Sequence, residues 1–151
     1  MQRMSRLFGR TLRDDPAEAT LASHRLLLRA GYIRPLGAGI YSMLPLAWRV
    51  QRRIEEIVRN EMDNIGCQEL QMPFVHPSDL WERTDRFNSV GPEMVRFKDR
   101  SDHDMVLAMT HEEVATDLGK WFASSYRQLP VSFYQFQSKF RDEPRPRGGL
   151  L

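Results

Sequence analysis

The sequence predicts an α+β fold in which helices flank short, mostly antiparallel strands. Three observations predict it. Residues 16–30 and 46–65 carry apolar side chains at helical spacing. Residues 94–108 form two apolar runs around a polar turn, the pattern of a hairpin. Toward the end the chain alternates, with Tyr134, Phe136 and Phe140 to one side and Gln135, Gln137, Lys139, Arg141 and Glu143 to the other.

The bulk numbers narrow the function classes. With 151 residues the chain is long enough for one domain with a real core. Apolar residues at 41% and charged residues at 28% are ordinary for a globular protein, so disorder and fibrous classes are excluded. The net charge of +2 is too small to argue nucleic-acid binding by itself. Cys67 is the one cysteine, which excludes an intrachain disulfide and a Cys-x-x-Cys metal or redox motif and fits a reducing compartment. No apolar run approaches membrane-spanning length. The arginine-rich start carries Asp14 and Asp15 and lacks a serine-rich tract, which argues against a transit peptide.

Each element has its own warrant. Asp15 can cap the first helix, Pro16 suits its first position and Glu18 completes a D-x-x-E box. Ala19, Ala22, Leu26 and Ala30 make its packing face and Gly31 ends it. Residues 32–45 read as an ordered loop with strand pieces near Ile40-Tyr41; Gly37-Ala38-Gly39 lacks the third glycine of a dinucleotide fingerprint. The second helix has an apolar stripe of Ala47, Val50, Ile54, Ile57, Val58, Met62 and Ile65, and Glu55 and Arg59 are spaced as an i,i+4 pair. Gly66 stops it, residues 68–72 form a strand, and Pro73 closes the strand. Ser78 or Asp79 starts a short helix, with Trp81 and Phe87 as packing anchors, and His103 falls in the hairpin's polar turn. Thr110 and Glu113 have the spacing of a T-x-x-E capping box for a helix carrying Val114, Leu118, Trp121 and Phe122. That leaves Glu112 unexplained. A His-Glu-x-x-His zinc motif fails, because Ala115 stands at the second histidine position.

Four blocks, in order, resemble class II aminoacyl-tRNA synthetases, and the spelling is nearest the bacterial-type prolyl-tRNA synthetase family. They are FRDE followed by PRPRGG at the end of the chain, Thr110-His111-Glu112, the helix-to-Pro73 block, and the opening residues. The resemblance implies part of the class II antiparallel sheet flanked by helices, incomplete at the C-terminus. Motif 1 would span about 46–77 and form a homodimer interface with Pro73 at its proline. Motif 2 would occupy 131–151 as first strand and loop. The implied reaction is ATP-dependent activation of proline to prolyl-adenylate, then transfer to tRNA(Pro). Thr110, Glu112 and Arg141 would bind proline; Arg141 and Glu143 would bind ATP, with Arg141 the catalytic cation. Arg145 and Arg147 would reach the tRNA acceptor end. Magnesium would accompany ATP, with no metal held by the protein alone and no tightly bound cofactor. A cytoplasmic location and no membrane partner follow from the same resemblance. One departure is visible: Ala108-Met109 stands where the family has Gly-Pro. The returning strand of motif 2, motif 3, the editing insertion and the anticodon-binding domain are expected to be absent, so the chain alone is expected to be inactive or nearly so. Other readings are a threonyl, seryl or glycyl synthetase of the same subclass, or a non-catalytic module that dimerises or binds tRNA.

Overall fold

A computed structural model describes residues 3–17 and 19–144. Helices and short strands alternate in it, as the periodicities predict, and the chain divides into two compact units within its second helix, after Val58.

The first unit holds a helix, α1 (Ala22–Arg29), a hairpin of β1 (Ile33–Gly37) and β2 (Ile40–Met43), and most of α2 (Pro45–Asn64). Its buried cluster is Ala19, Leu28, Ile33 and Ala47, with Leu27, Tyr32 and Tyr41 packed against it. The expected Asp15 cap is not made. Leu21 precedes the helix without a side-chain cap, and Asp15 instead pairs with Arg29 at 3.2 Å and Arg25 at 3.7 Å. The helix begins at Ala22, six residues later than the expected start at Pro16, so Asp15 has no helix N-terminus beside it to cap. Glu18 of the proposed box lies outside the described residues. Gly31 does end the helix: its φ is +66°, and a Cβ there would sit 2.8 Å from the Arg10 carbonyl oxygen.

The α2 bounds match the expectation within a residue, but its stripe does not make a core. Of its residues only Ala47 is buried, whereas Val50, Ile54 and Ile57 are 47%, 56% and 52% exposed. Arg59 forms a salt bridge with Glu69 at 2.6 Å, and Glu55 accepts from Gln51.

The second unit carries the rest of the described chain. A two-stranded parallel pair joins β3 (Gln68–Glu69) to the last strand, β7 (Phe133–Tyr134). Hence not all pairing is antiparallel. An antiparallel sheet has β6 (Asp104–Leu107) between β4 (Val75–Pro77) and β5 (Arg96–Lys98). Between the strands lie α3 (Asp79–Glu82), α4 (Arg86–Ser89) and α5 (Glu112–Phe122). Trp81, Met94 and Val106 form the core, and Phe87 packs against it, so both aromatic anchors are where the pattern predicts. The hairpin turn closes on Asp99, which accepts from the backbone N–H groups of Ser101 and His103 and pairs with the exposed His103 ring. Those bonds, led by the His103 backbone, hold the Asp99 carboxyl below its ordinary range.

Of the strand expected over 133–143, only Phe133–Tyr134 forms a ladder with β3, and farther on Phe140 and Asp142 make single backbone bonds to Ala108 and Glu93. Tyr134 is half-buried, as are Phe133, Gln135 and Phe136 beside it; its hydroxyl donates to Asp63 at 2.9 Å and its ring meets Phe136 edge-on. Burial and the two neighbouring carboxylates push its phenol pKa up to about 12.

Candidate active site

The site is built where β6 runs into α5. Ala108 is fully buried and bonded on both sides: its N–H donates to Phe74 at 2.9 Å, and its carbonyl accepts from Phe140 at 2.9 Å. At the Ala108-Met109 departure, Ala108 therefore stays paired on both sides and the chain bends at Met109. The next carbonyl, of Met109, accepts from Arg141 Nε at 3.1 Å. Asp142 N–H then donates to Glu93. Arg141 is thus held one residue from Thr110, although 31 residues separate them in sequence.

Thr110 is 5% exposed, His111 is fully buried, Glu112 is exposed, and Glu113 is 8% exposed. The expected capping box is not formed. His111 occupies the cap position of α5 without a side-chain cap, and Glu113 turns inward to Arg86. Arg86 in turn lies 5.0 Å over the Trp81 ring. Burial beside a guanidinium is worth more to a carboxylate than one exposed N–H at a helix start. The second carboxylate oxygen of Glu113 has no hydrogen-bond partner among the described residues.

Glu112 opens on a cleft of about 370 Å³ lined by Arg83, Arg86, Thr116, Asp117 and Lys120 among others. A separate groove of about 650 Å³ runs along residues 71–74 and 136–138, where Gln137 donates to the Met72 carbonyl. The sequence-predicted residues therefore divide. Thr110, Glu112 and Arg141 lie on two adjoining segments. Glu143 is exposed and makes no hydrogen bond or ion pair among the described residues. The Pro73 ring is exposed while its carbonyl turns inward. Arg145 and Arg147 lie outside the described residues. No group of three or more His, Cys, Asp or Glu among those described is placed to hold a metal ion, and no described helix is long and apolar enough to cross a membrane.

Sequence reasoning missed the buried histidines. His76 and His111 are both fully buried, with ring centroids 5.1 Å apart. His76 Nε2 lies 3.0 Å and His111 Nε2 3.2 Å from the same Pro73 carbonyl oxygen. A carbonyl only accepts, so both nitrogens carry hydrogen. Trp81 Nε1–H donates to His76 Nδ1 at 3.3 Å, which fixes the same neutral tautomer from the other end. Burial pushes both imidazoles below their ordinary pKa. Nothing in the local sequence signals this pair, because residues 73, 76, 81 and 111 meet only through tertiary packing.

No family model matches the chain. Individual proteins do. It is 54% identical over 149 residues to the proline–tRNA ligase of Acidithiobacillus ferrooxidans, covering 99% of this chain and 26% of that protein. It is 53% identical over the same length to the proline–tRNA ligase of Dehalococcoides mccartyi. The chain is similar, along nearly its whole length, to a segment of bacterial proline–tRNA ligases. It spans about a quarter of the length of these curated relatives. Among solved structures, prolyl-tRNA synthetase from Cryptosporidium parvum, complexed with halofuginone and AMPPNP, superposes with a TM-score of 0.70 at 17% identity, covering 80% of this chain and 25% of that one. The RNA binding domain of threonyl-tRNA synthetase from the same organism gives 0.66 at 24% identity, covering 72% and 27%. At those identities the likeness is one of fold.

Proposed function

We propose that the chain forms the amino-acid- and ATP-handling segment of a class II proline–tRNA ligase. The observation that carries this reading is the bond from Arg141 Nε to the Met109 carbonyl, beside Thr110, in a chain more than half identical to proline–tRNA ligases. That bond uses only one face of the guanidinium. Its two terminal nitrogens, without a partner among the described residues, bridge the proline carboxylate and the α-phosphate of ATP, two oxyanions that a planar fork suits. Glu112 and Thr110 hold the secondary ammonium of proline by charge-assisted hydrogen bonds. Glu143 accepts from the adenine amino group. The carboxylate oxygen attacks the α-phosphorus and pyrophosphate leaves; positioning and charge neutralisation carry the step. Magnesium, bound with the nucleotide, would supply charge neutralisation for the leaving phosphates. Binding of AMPPNP by the Cryptosporidium prolyl-tRNA synthetase supports ATP as the substrate here.

Arg145 and Arg147 contact the acceptor end of tRNA(Pro). Residues 46–77 form a homodimer interface, a reading supported by the exposed apolar face of Val50, Ile54 and Ile57. The location is cytoplasmic. The division 46–77, 110–113 and 131–151 into motif 1, the proline block and motif 2 belongs to the same proposal.

The test is ATP–pyrophosphate exchange driven by single amino acids, on the full-length protein that carries this chain. Proline-dependent exchange that threonine, serine, glycine and alanine do not support is the expected result. Exchange driven by threonine instead, or none with any of the five in a folded protein, overturns the reading.

A further inference from the structure

The proposed proline site leaves one question open: what holds Thr110 and Glu112 at a fixed mutual placement. Thr110 is buried and Glu112 exposed, so the residue between them decides how the chain turns from strand to helix. That residue is His111. Its ring is fully buried, and its Nε2–H reaches the Pro73 carbonyl, 38 residues away, at 3.2 Å. The same oxygen takes the Nε2–H of His76 at 3.0 Å, and the next carbonyl along, of Phe74, takes the Ala108 N–H. One short stretch of backbone, Pro73-Phe74, therefore anchors the segment 108–111 at both ends.

Capping does not supply this anchor, because among the described residues no side chain caps α5. Helix propensity does not supply it either, since His111 has φ −123° and ψ 11°, outside the helical well. We propose that His111 is a positioning residue for the amino-acid site: its Nε2–H, donated to the Pro73 carbonyl oxygen with His76 as the second donor, sets the placement of Thr110 and Glu112 around the substrate ammonium. This rests on the reading of the site as a proline site. His111 touches no substrate. Its Nδ1 has no partner among the described residues, so the role lies in the donor at the other ring nitrogen.

The experiment uses the full-length protein with His111→Leu, His111→Gln and His76→Gln. Glutamine carries an N–H at the reach of imidazole Nε2, whereas leucine keeps bulk and loses the donor. His111→Leu is expected to raise the proline KM about tenfold or more while the ATP KM stays within about twofold, and His111→Gln to restore most of the loss. A uniformly structural role would move both KM values, or lower the active fraction and change neither. Nitrogen-15 NMR of the imidazoles gives a readout independent of activity: both rings are expected as neutral Nε2–H tautomers. An unchanged proline KM in His111→Leu, no recovery in His111→Gln, or an Nδ1–H tautomer at His111 each overturns the inference. Absence of proline-dependent exchange in the parent overturns the functional reading and the substrate role with it, and the NMR result still decides whether the bond to Pro73 exists.

Discussion

Replacing Trp81 by phenylalanine tests the buried network where its parts are best defined. Trp81 is fully buried, stacks on His76 at 6.0 Å and 24°, and donates its indole N–H to His76 Nδ1. Phenylalanine keeps a ring over the imidazole and removes the donor. His76 Nδ1 is then a buried acceptor without a partner, a loss of about 1–3 kcal/mol. The 3.3 Å bond is long, which places the loss toward the lower half of that range. A weaker cation–π contact with Arg86 adds about 0.5 kcal/mol, and the smaller ring leaves a partial cavity, so the expected total is about 2–3 kcal/mol. Guanidinium unfolding followed by far-ultraviolet circular dichroism at pH 7.5 measures it as a lower midpoint with an unchanged slope. The pH dependence supplies a second arm. In the native protein protonated His76 would face the indole donor, and its pKa is held down by burial. Without the indole the protonated form is less disfavoured and the folded pKa rises toward its ordinary value. The difference between variant and parent is therefore expected to shrink from pH 7.5 to pH 5.5. A loss below about 0.5 kcal/mol, or one of equal size at both pH values, would refute the argument that the indole N–H fixes the imidazole.

The parent protein should itself lose stability in acid through His76 and His111. Both have folded pKa values below the ordinary 6.5, so the unfolded chain binds more protons in that window; stability is full above about pH 7 and falls as pH drops through 6.5 and below. Urea midpoints at a series of pH values check this, and a flat profile between pH 7.5 and 5 contradicts it. Arg141→Ala is expected to remove proline-dependent exchange by at least about 100-fold with little change in melting temperature, since the residue is exposed; near-normal exchange sinks its assigned role. Glu112→Ala and Glu113→Ala should separate: the first raises the proline KM and leaves the melting temperature in place. The second destabilises, by less than the roughly 3–5 kcal/mol of a fully buried pair because Arg86 is partly solvated. Equal melting temperatures for the two variants contradict the assignment.

The elements that were legible are those specified by short-range periodicity. The 20-residue α2 helix, the turn on Asp99, the Gly31 stop and the Trp81 anchor are each written within a few neighbouring residues. What the sequence could not convey are choices between partners. Glu113 had a helix start or Arg86 available, and the charged partner from elsewhere in the fold prevailed. Asp15 had no helix start at all, because α1 begins only at Ala22, and it pairs with Arg25 and Arg29 of that helix. The alternation over 133–143 overstated both the ladder, which pairs with β3 only at Phe133–Tyr134, and the division of faces, since Gln135, assigned to the outer side, has a buried side-chain oxygen. At the candidate site the residue types were visible, while the bond that brings Arg141 to Met109 was not.

Packing also discriminates between residues of identical type, and this bears on function more than any motif does. Four consecutive residues, Thr110 to Glu113, put three side chains into the interior and one outside. Of the two adjacent glutamates, Glu113 is buried and paired with Arg86, while Glu112 is exposed at the cleft. The arginines divide in the same way. Arg96 is occupied by the carbonyls of Phe87, Val90, Gly91 and Met94, and Arg86 by Glu113 and the Trp81 face. Among the described residues Arg141 bonds through a single nitrogen. A site that binds a zwitterion beside a nucleotide needs a carboxylate and a guanidinium that folding has fixed in place without consuming. Glu112, held by its buried neighbours, and Arg141, held by one bond to the backbone, meet that requirement; Glu113, Arg86 and Arg96 do not.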